Sequence, residues 1–310
     1  MDIEILLFLQ SVRTILGTGV ERALYLLSKF ATSGAVYIAS AGIYWCIDKE
    51  LGRNLLLNIA GGMFVNQFLK NTFCVHRPWM RGARLSPSAL ALKDAAGYSF
   101  PSGHTALAVA AYGTLARTKQ KQRAFSVFCA ALILLVAFSR LYLGCHTPQD
   151  VLCSLAVGWM LLLLNDKIAW WMDEKEHRDF VIATVGLIGT GLFLLYVTQK
   201  SYPAADGAIL STQSDCFTAA GILSGFCASL PLERRFVRFS VDCASPLLLP
   251  RFLVGAAILL ALTAAKAPIC ALLGAHWGRF LLYFFLALVA YVAYPAIFTH
   301  FEKMMRKQHK

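Results

Sequence analysis

The sequence predicts an all-α protein, a polytopic bundle of membrane-spanning helices. Three observations carry that expectation. First, 58% of the 310 residues are hydrophobic and only 15% are charged, whereas soluble domains run about 45–50% apolar and about a quarter charged. Second, apolar stretches near membrane-spanning length recur from end to end. Third, the strand-like alternation of a transmembrane barrel is absent, so backbone groups in lipid must be satisfied within helices.

The first stretch, "IEILLFLQSVRTILGTGV" over 3–20, is apolar but interrupted by Glu4, Gln10 and Arg13, which predicts an amphipathic helix lying in the membrane interface. It lacks a basic start and a small-residue cleavage site, so it does not read as a signal peptide. Nine spans follow, at 24–47, 54–73, 101–116, 124–143, 150–166, 180–198, 216–230, 252–273 and 280–299. The polar run "DEKEHRD" over 173–179 separates the first five from the last four. The expected organisation is an interfacial helix (1–23), a membrane core (24–172) and an additional C-terminal bundle of about four transmembrane helices (173–310).

The net charge is +12. In a soluble protein that would suggest nucleic acid; here the basic residues gather in loops on one side, and no nucleic-acid partner is expected. That side holds Lys49 and Arg53, the turn "RTKQKQR" over 117–123 with Lys119 and Lys121, then Lys167, Lys175 and Arg178, then Arg234, Arg235, Arg238 and Arg251, and the tail Lys303, Arg306, Lys307 and Lys310. The positive-inside rule makes it the cytoplasm, with Trp170 and Trp171 in an interface belt there. The chain is expected in the cell membrane, N-terminus out and C-terminus in. Of nine cysteines, Cys46, Cys129, Cys153, Cys227 and Cys270 sit in apolar runs and read as small core residues. Cys74 and Cys145 lie near polar motifs at one face, which leaves a disulfide between them open.

Three polar clusters stand at the predicted outer face. In "LKNTFCVHRPWM" (69–80), Lys70 and Arg77 are seven residues apart, two turns along one helix face, before Pro78 ends the helix. Alone they read first as snorkelling cations, a reading weakened by their place on the side where cations are disfavoured. In "GYSFPSGHTA" (97–106), Pro101 suits a first helical turn. The amides of Ser102, Gly103 and His104 would then sit free at the positive end of a helix, a setting for an anion and above all for phosphate. Gly103 permits close approach and Ser102 offers a hydroxyl. The plainer alternative is an ordinary helix start. In "SRLYLGCHTPQD" (139–150), Arg140 emerges at the membrane face, and His146 and Asp150 are four apart. The carboxylate either holds the imidazole as a nucleophile or base, or only caps a helix.

Topology decides between these readings. The turns return the chain to one face, so three cations, a helix N-terminus and two histidines converge there. With no carboxylate nearby to neutralise the cations, they call for a polyanion. A phosphoryl group fits, and the histidines supply chemistry on it.

The three motifs, complete and in order, resemble the signatures of the type 2 phosphatidic acid phosphatases (PAP2). The family core has six spans; here the interfacial helix and five spans correspond to it, the first span is missing, and the last four spans lie outside the resemblance. The resemblance implies that His146 attacks phosphorus, Asp150 orients it, and His104 protonates the leaving alkoxide and then activates water. It implies that Lys70, Arg77 and Arg140, with Ser102 and the Gly103 amide, hold the phosphoryl oxygens. No metal or other cofactor is expected, because the cations take that role.

The site would lie at the level of the outer lipid headgroups, with the bilayer holding the substrate's chains and helix 3–20 and Trp79 lining the access. Substrates consistent with this are a polyprenyl diphosphate, phosphatidate, phosphatidylglycerophosphate or a sphingoid phosphate. Two other readings stay open: a phosphotransferase that passes the phosphoryl group to a second lipid, and an anion transporter, for which Lys266 in "ALTAAKAPIC" (261–270) is the one feature. The related vanadate-binding haloperoxidases share the pocket, but a membrane setting argues against their chemistry. Arg234, Arg235 and Arg238 read as topology signals, and Gly186, Gly189 and Gly191 as close helix packing.

Overall fold

The computed structural model describes residues 2–81, 84–92, 94–118, 122–175, 177–202, 207–242 and 245–308. Among them no strand occurs. The principal helices are α1 (Asp2–Ala31), α2 (Gly34–Cys46), α3 (Lys49–Phe73), α4 (103–118), α5 (Arg123–Tyr142), α6 (Pro148–Asp173), α7 (Arg178–Gln199), α8 (Gly207–Val237), α9 (Ser245–Ala264), α10 (Lys266–Leu273) and α11 (Ala275–Met305). Among the described residues, seven stretches are long and apolar enough to cross a membrane: Asp2–Cys46, α5, α6, α7, α8, Leu247–Ala264 and α11. The protein is a multi-pass membrane protein.

The two other expected spans, 54–73 and 101–116, are present as α3 and α4 but fall short of that measure. Asn54, Asn58, Asn66, Gln67, Lys70 and Asn71 make α3 polar, and α4 is shorter than the about 20 residues a crossing takes. The expected span 252–273 is not one helix. It ends at Ala264, and α10 restarts at Lys266. Pro268 explains the break, since its ring clashes with the carbonyl four residues back and it supplies no N–H. Lys266 therefore opens a short helix instead of sitting within a span.

The chain forms two compact units. One comprises residues 1–36, 61–164 and 200–216; the other comprises 37–60, 165–199 and 217–310. In the first, α1 bends at Gly17, whose φ of 73° is open to glycine, and the helix ends at Ala31 before Gly34 restarts it. No break falls near residue 23, where the sequence reading divides helix from span. The polar residues of α1 bind other parts of the chain. Gln10 Oε1 accepts from Ser86 N at 2.8 Å, Arg13 donates to Tyr142 O at 3.1 Å and to Ser86 O, and Tyr25 donates to Asp94. Further on, the chain reaches the middle of α4, where Tyr112 donates to Ala31 O.

In the second unit, Trp45 donates to Ala290 O at 2.7 Å near a ring cluster in which Tyr291 meets Tyr44 at a tilt and Phe226 edge-on. Of the three glycines expected to pack closely, Gly186 does so against Cys227, while Gly189 and Gly191 face open space. The basic residues read as topology signals are specifically paired: Lys49 with Glu233, Arg53 and Arg234 with Asp173, Arg235 with Asp179, and Arg251 with Glu302. Arg238 instead donates to Arg234 O. Lys119, Lys121 and Lys310, and the side chains of Arg306 and Lys307, lie outside the described residues.

Candidate active site

The first unit assembles the site from three helix ends. Cys74, with φ 48°, takes the chain out of α3 just past Lys70. Lys70 and Arg77 then clasp one short strip of backbone. Lys70 Nζ donates to Tyr98 O at 2.6 Å, and Arg77 Nε donates to Gly97 O at 2.7 Å. Both cations are 7% exposed, so they are not snorkelling to solvent. Burial, with Arg140 adding repulsion, pulls Arg77 from 12.5 down to about 10, and it stays charged at neutral pH.

The clasped strip leads through Pro101 into α4. Ser102 caps that helix, its Oγ accepting from Thr105 Oγ1 at 3.0 Å and from the Thr105 amide. The Ser102 amide, expected to be free, donates instead to Asp150 O at 3.1 Å. The amides of Gly103 and His104 are the first two of the helix proper. A Cβ on Gly103 would meet Asn66 only at an ordinary 3.5 Å, so the surrounding protein does not itself demand glycine there.

The third helix end carries His146. After Tyr142 the chain turns at Gly144, φ 72°, where a Cβ would press on Pro87. The amides of Cys145 and His146 return to Arg140 O at 3.0 and 3.3 Å. Thr147 and Asp150 then form a reciprocal cap of α6. Thr147 N donates to Asp150 Oδ2 at 2.8 Å, and Asp150 N donates to Thr147 Oγ1 at 3.4 Å. The same Oδ2 receives Ser99 Oγ at 2.5 Å and lies 3.3 Å from His146 Nδ1. One oxygen thus makes both the contact with the imidazole and the helix cap. Burial first, and Arg77 second, hold the His146 imidazole well below its usual 6.5.

A cavity of about 300 Å³ opens on this assembly. Lys70, Arg77, Gly103, His104 and His146 line it. Ser102, Arg140 and Asp150 lie behind the wall, each no more than 2% exposed. Arg140 donates to Ser28 at 3.4 Å, while its Nε and Nη2 have no hydrogen-bond partner among the described residues. Cys74 and Cys145 are free thiols. The expectation that no carboxylate lies near the cations is corrected, because Asp94 and Asp215 line the same cavity. Sequence reading also missed Gly97, Ser99, Ser211 and Thr212. Ser99 stood in plain view just before Pro101; Asp215, Ser211 and Thr212 carry no local signal, being far away in sequence.

Fold and site thus define a multi-pass helical membrane protein whose buried histidine faces a polar cavity between two clasped cations. The PAP2 superfamily model matches residues 51–176, and the model for the PAP2 superfamily phosphatase transmembrane extension matches residues 217–307. The chain belongs to the PAP2 superfamily; of its last four spans, read from sequence as outside the resemblance, the final three overlap a recognised extension of it, while α7 lies between the two matches. Relatives include lipid phosphate phosphatase delta of Arabidopsis thaliana, 25% identical over 53% of this chain and 41% of that protein. Sphingosine-1-phosphate phosphatase 2 of Homo sapiens is 29% identical over 59% of this chain and 46% of that protein. Phosphatidylglycerophosphatase B of Bacillus subtilis is 28% identical over 46% of this chain and 68% of that protein. The chain spans less than half the length of the first two. No solved structure matches it significantly.

Proposed function

We propose that the protein is a lipid phosphate phosphatase that hydrolyses a lipid phosphate or diphosphate through a phosphohistidine. The observation that carries this reading is the setting of His146: Nδ1 faces the Asp150 carboxylate, while Nε2 faces Arg77 at the cavity wall. A guanidinium has only donors, so Nε2 presents its lone pair and Nδ1 carries the proton. In the first step Nε2 attacks phosphorus, the P–O bond to the lipid breaks, and His104 gives its proton to the leaving alkoxide. In the second, His104 takes a proton from water, the water oxygen attacks phosphorus, and the P–N bond breaks to release phosphate. Lys70, Arg77 and Arg140 stabilise the charge that develops on the phosphoryl oxygens, with Ser102 and the Gly103 amide, and Asp150 stabilises the charged imidazole. The cations take the place of a metal in this scheme.

A lipid is supported by the relatives' names and by a neighbouring cavity of about 270 Å³. That cavity shares Arg77, Ala96 and Gly97 with the first and adds Trp79, Met80 and Ala208. We assign the site to the extracytoplasmic face because Lys70 lies at the opposite end of α3 from Lys49 and Arg53, which the positive-inside rule puts at the cytoplasm. The test is phosphate release from a panel of lipid phosphates in EDTA, beside His146→Ala and His104→Ala. Release that resists EDTA and is lost in both variants is expected; release that survives His146→Ala overturns the mechanism.

A further inference from the structure

The cavity's unexplained feature is its far wall. Ser211, Thr212 and Asp215 come from the start of α8, in a segment that lies between the two family matches at 51–176 and 217–307. Lys200, Tyr202 and Thr212 are nevertheless tied to the elements of the site. Lys200 donates to Asn71 O and to Thr72 O at 2.9 Å, at the negative C-terminal end of α3. Tyr202 donates to Asn71 Oδ1. Thr212 Oγ1 accepts from Tyr98 N at 3.3 Å. A Cβ on Gly97 would come within 3.0 Å of that oxygen, so the clasped strip and α8 meet as closely as a bare backbone allows.

Asp215 is a misfit in a site for phosphate alone. It is near enough to act electrostatically on Lys70 and Arg77, so it competes with a phosphoryl group for both cations and repels its oxygens. The second carboxylate, Asp94, is engaged by Tyr25 at 3.0 Å and by Lys29 at 3.9 Å. A ligand that brings a positive charge beside its phosphate turns the conflict into complementarity. Its phosphoryl group takes Lys70 and Arg77, and its cation takes Asp215. Ser211 shares a helical face with Asp215, one turn away. Thr212 Oγ1 accepts from Tyr98 N through one lone pair and has a second to accept from an ammonium N–H.

We propose that Asp215, with Ser211 and Thr212, forms a subsite for a protonated amine carried a few bonds from the phosphorus, so that the preferred substrates are amino-alcohol lipid phosphates. This rests on the phosphatase reading above. The test compares sphingosine 1-phosphate with its N-acetyl derivative, in which the same chain keeps its phosphate but loses the amine's charge, using the purified full chain. Wild-type protein is expected to favour the amine by about tenfold in kcat/KM, and Asp215→Asn to bring that ratio close to one. A structural defect would lower both substrates together and leave the ratio unchanged, which overturns the subsite. Should Asp215→Asn not fold, the wild-type ratio decides alone, since no preference for the amine also overturns it. Turnover of the N-acetyl lipid without preference leaves the phosphatase reading standing. No phosphate from either lipid, or from phosphatidate, overturns both.

Discussion

Arg77 Nη1 lies 3.0 Å from His146 Nε2. The same Nη1 donates to Cys145 O at 3.1 Å, so the guanidinium is locked beside the ring. It acts on the imidazole in two ways, by keeping the ring proton on Nδ1 and by opposing protonation of Nε2. Arg77→Lys keeps the charge but cannot reproduce the fork. A loss of about a hundredfold in kcat is expected, the size seen when one preorganised donor is removed. Histidine ¹⁵N spectra should show the His146 proton on Nδ1. Wild-type kcat in Arg77→Lys, or an Nε2–H tautomer, would sink this account.

Thr147 and Asp150 separate capping from catalysis. Thr147→Ala removes the cap oxygen yet leaves the Thr147 amide and Ser99 on the carboxylate. It should cost about 1 kcal/mol of stability, read as a lower melting temperature, with kcat little changed. Asp150→Asn puts an amide where the Nδ1 proton needs an acceptor, and about a thousandfold to ten-thousandfold loss in kcat is expected, as when a triad carboxylate is made neutral. Equal losses of rate in the two variants would show that the cap, and not the carboxylate charge, sets the geometry.

The depressed proton affinity of His146 makes a claim about pH. In the unfolded chain the ring binds a proton near the ordinary 6.5; in the native protein it does so only at lower pH. Between those values the unfolded state holds more protons, so stability is full above 6.5 and falls as acid is added. The proposed nucleophile correspondingly stays neutral through pH 6.5. A ¹⁵N-histidine titration, assigned with His146→Gln, should place the His146 midpoint below 6.5, and the melting temperature should drop from pH 7 to 5 by less in the variant. A midpoint at or above 6.5 contradicts the burial argument.

The legible part of the site was what helix ends write locally. Lys70 with Arg77, Ser102 to His104, and His146 with Asp150 are each close in sequence, but α3 ends at Phe73, so Lys70 and Arg77 do not share the one helix face that their spacing predicted. Illegible were the contributions that depend on distant segments meeting. Ser99 serves Asp150 from 51 residues away, and Asp215 reaches the cavity from a helix that shares no motif with it. The cations' partners were hidden for a related reason: carbonyl oxygens of Gly97 and Tyr98 carry no side-chain signature. In the fold, the apolar run 252–273 looked continuous because hydropathy does not register Pro268.

Gly52 offers a test of the second unit's packing. A Cβ there would run into the backbone of Tyr44, closer than any real contact, and backbone cannot swing aside as a flexible side chain does. Tyr44 is itself 2% exposed and pinned between Phe239 and Tyr291. Gly52→Ala should therefore force the chain between α2 and α3 apart and cost about 1–3 kcal/mol, more than the helix propensity gained by alanine. Gly189→Ala is the control: nothing stands within 4 Å, so only the propensity term of about 1 kcal/mol acts, and it favours the variant. Thermal melts in one detergent should move in opposite directions for the two. A Gly52→Ala protein as stable as the parent would mean that residues 44 and 52 do not approach as described.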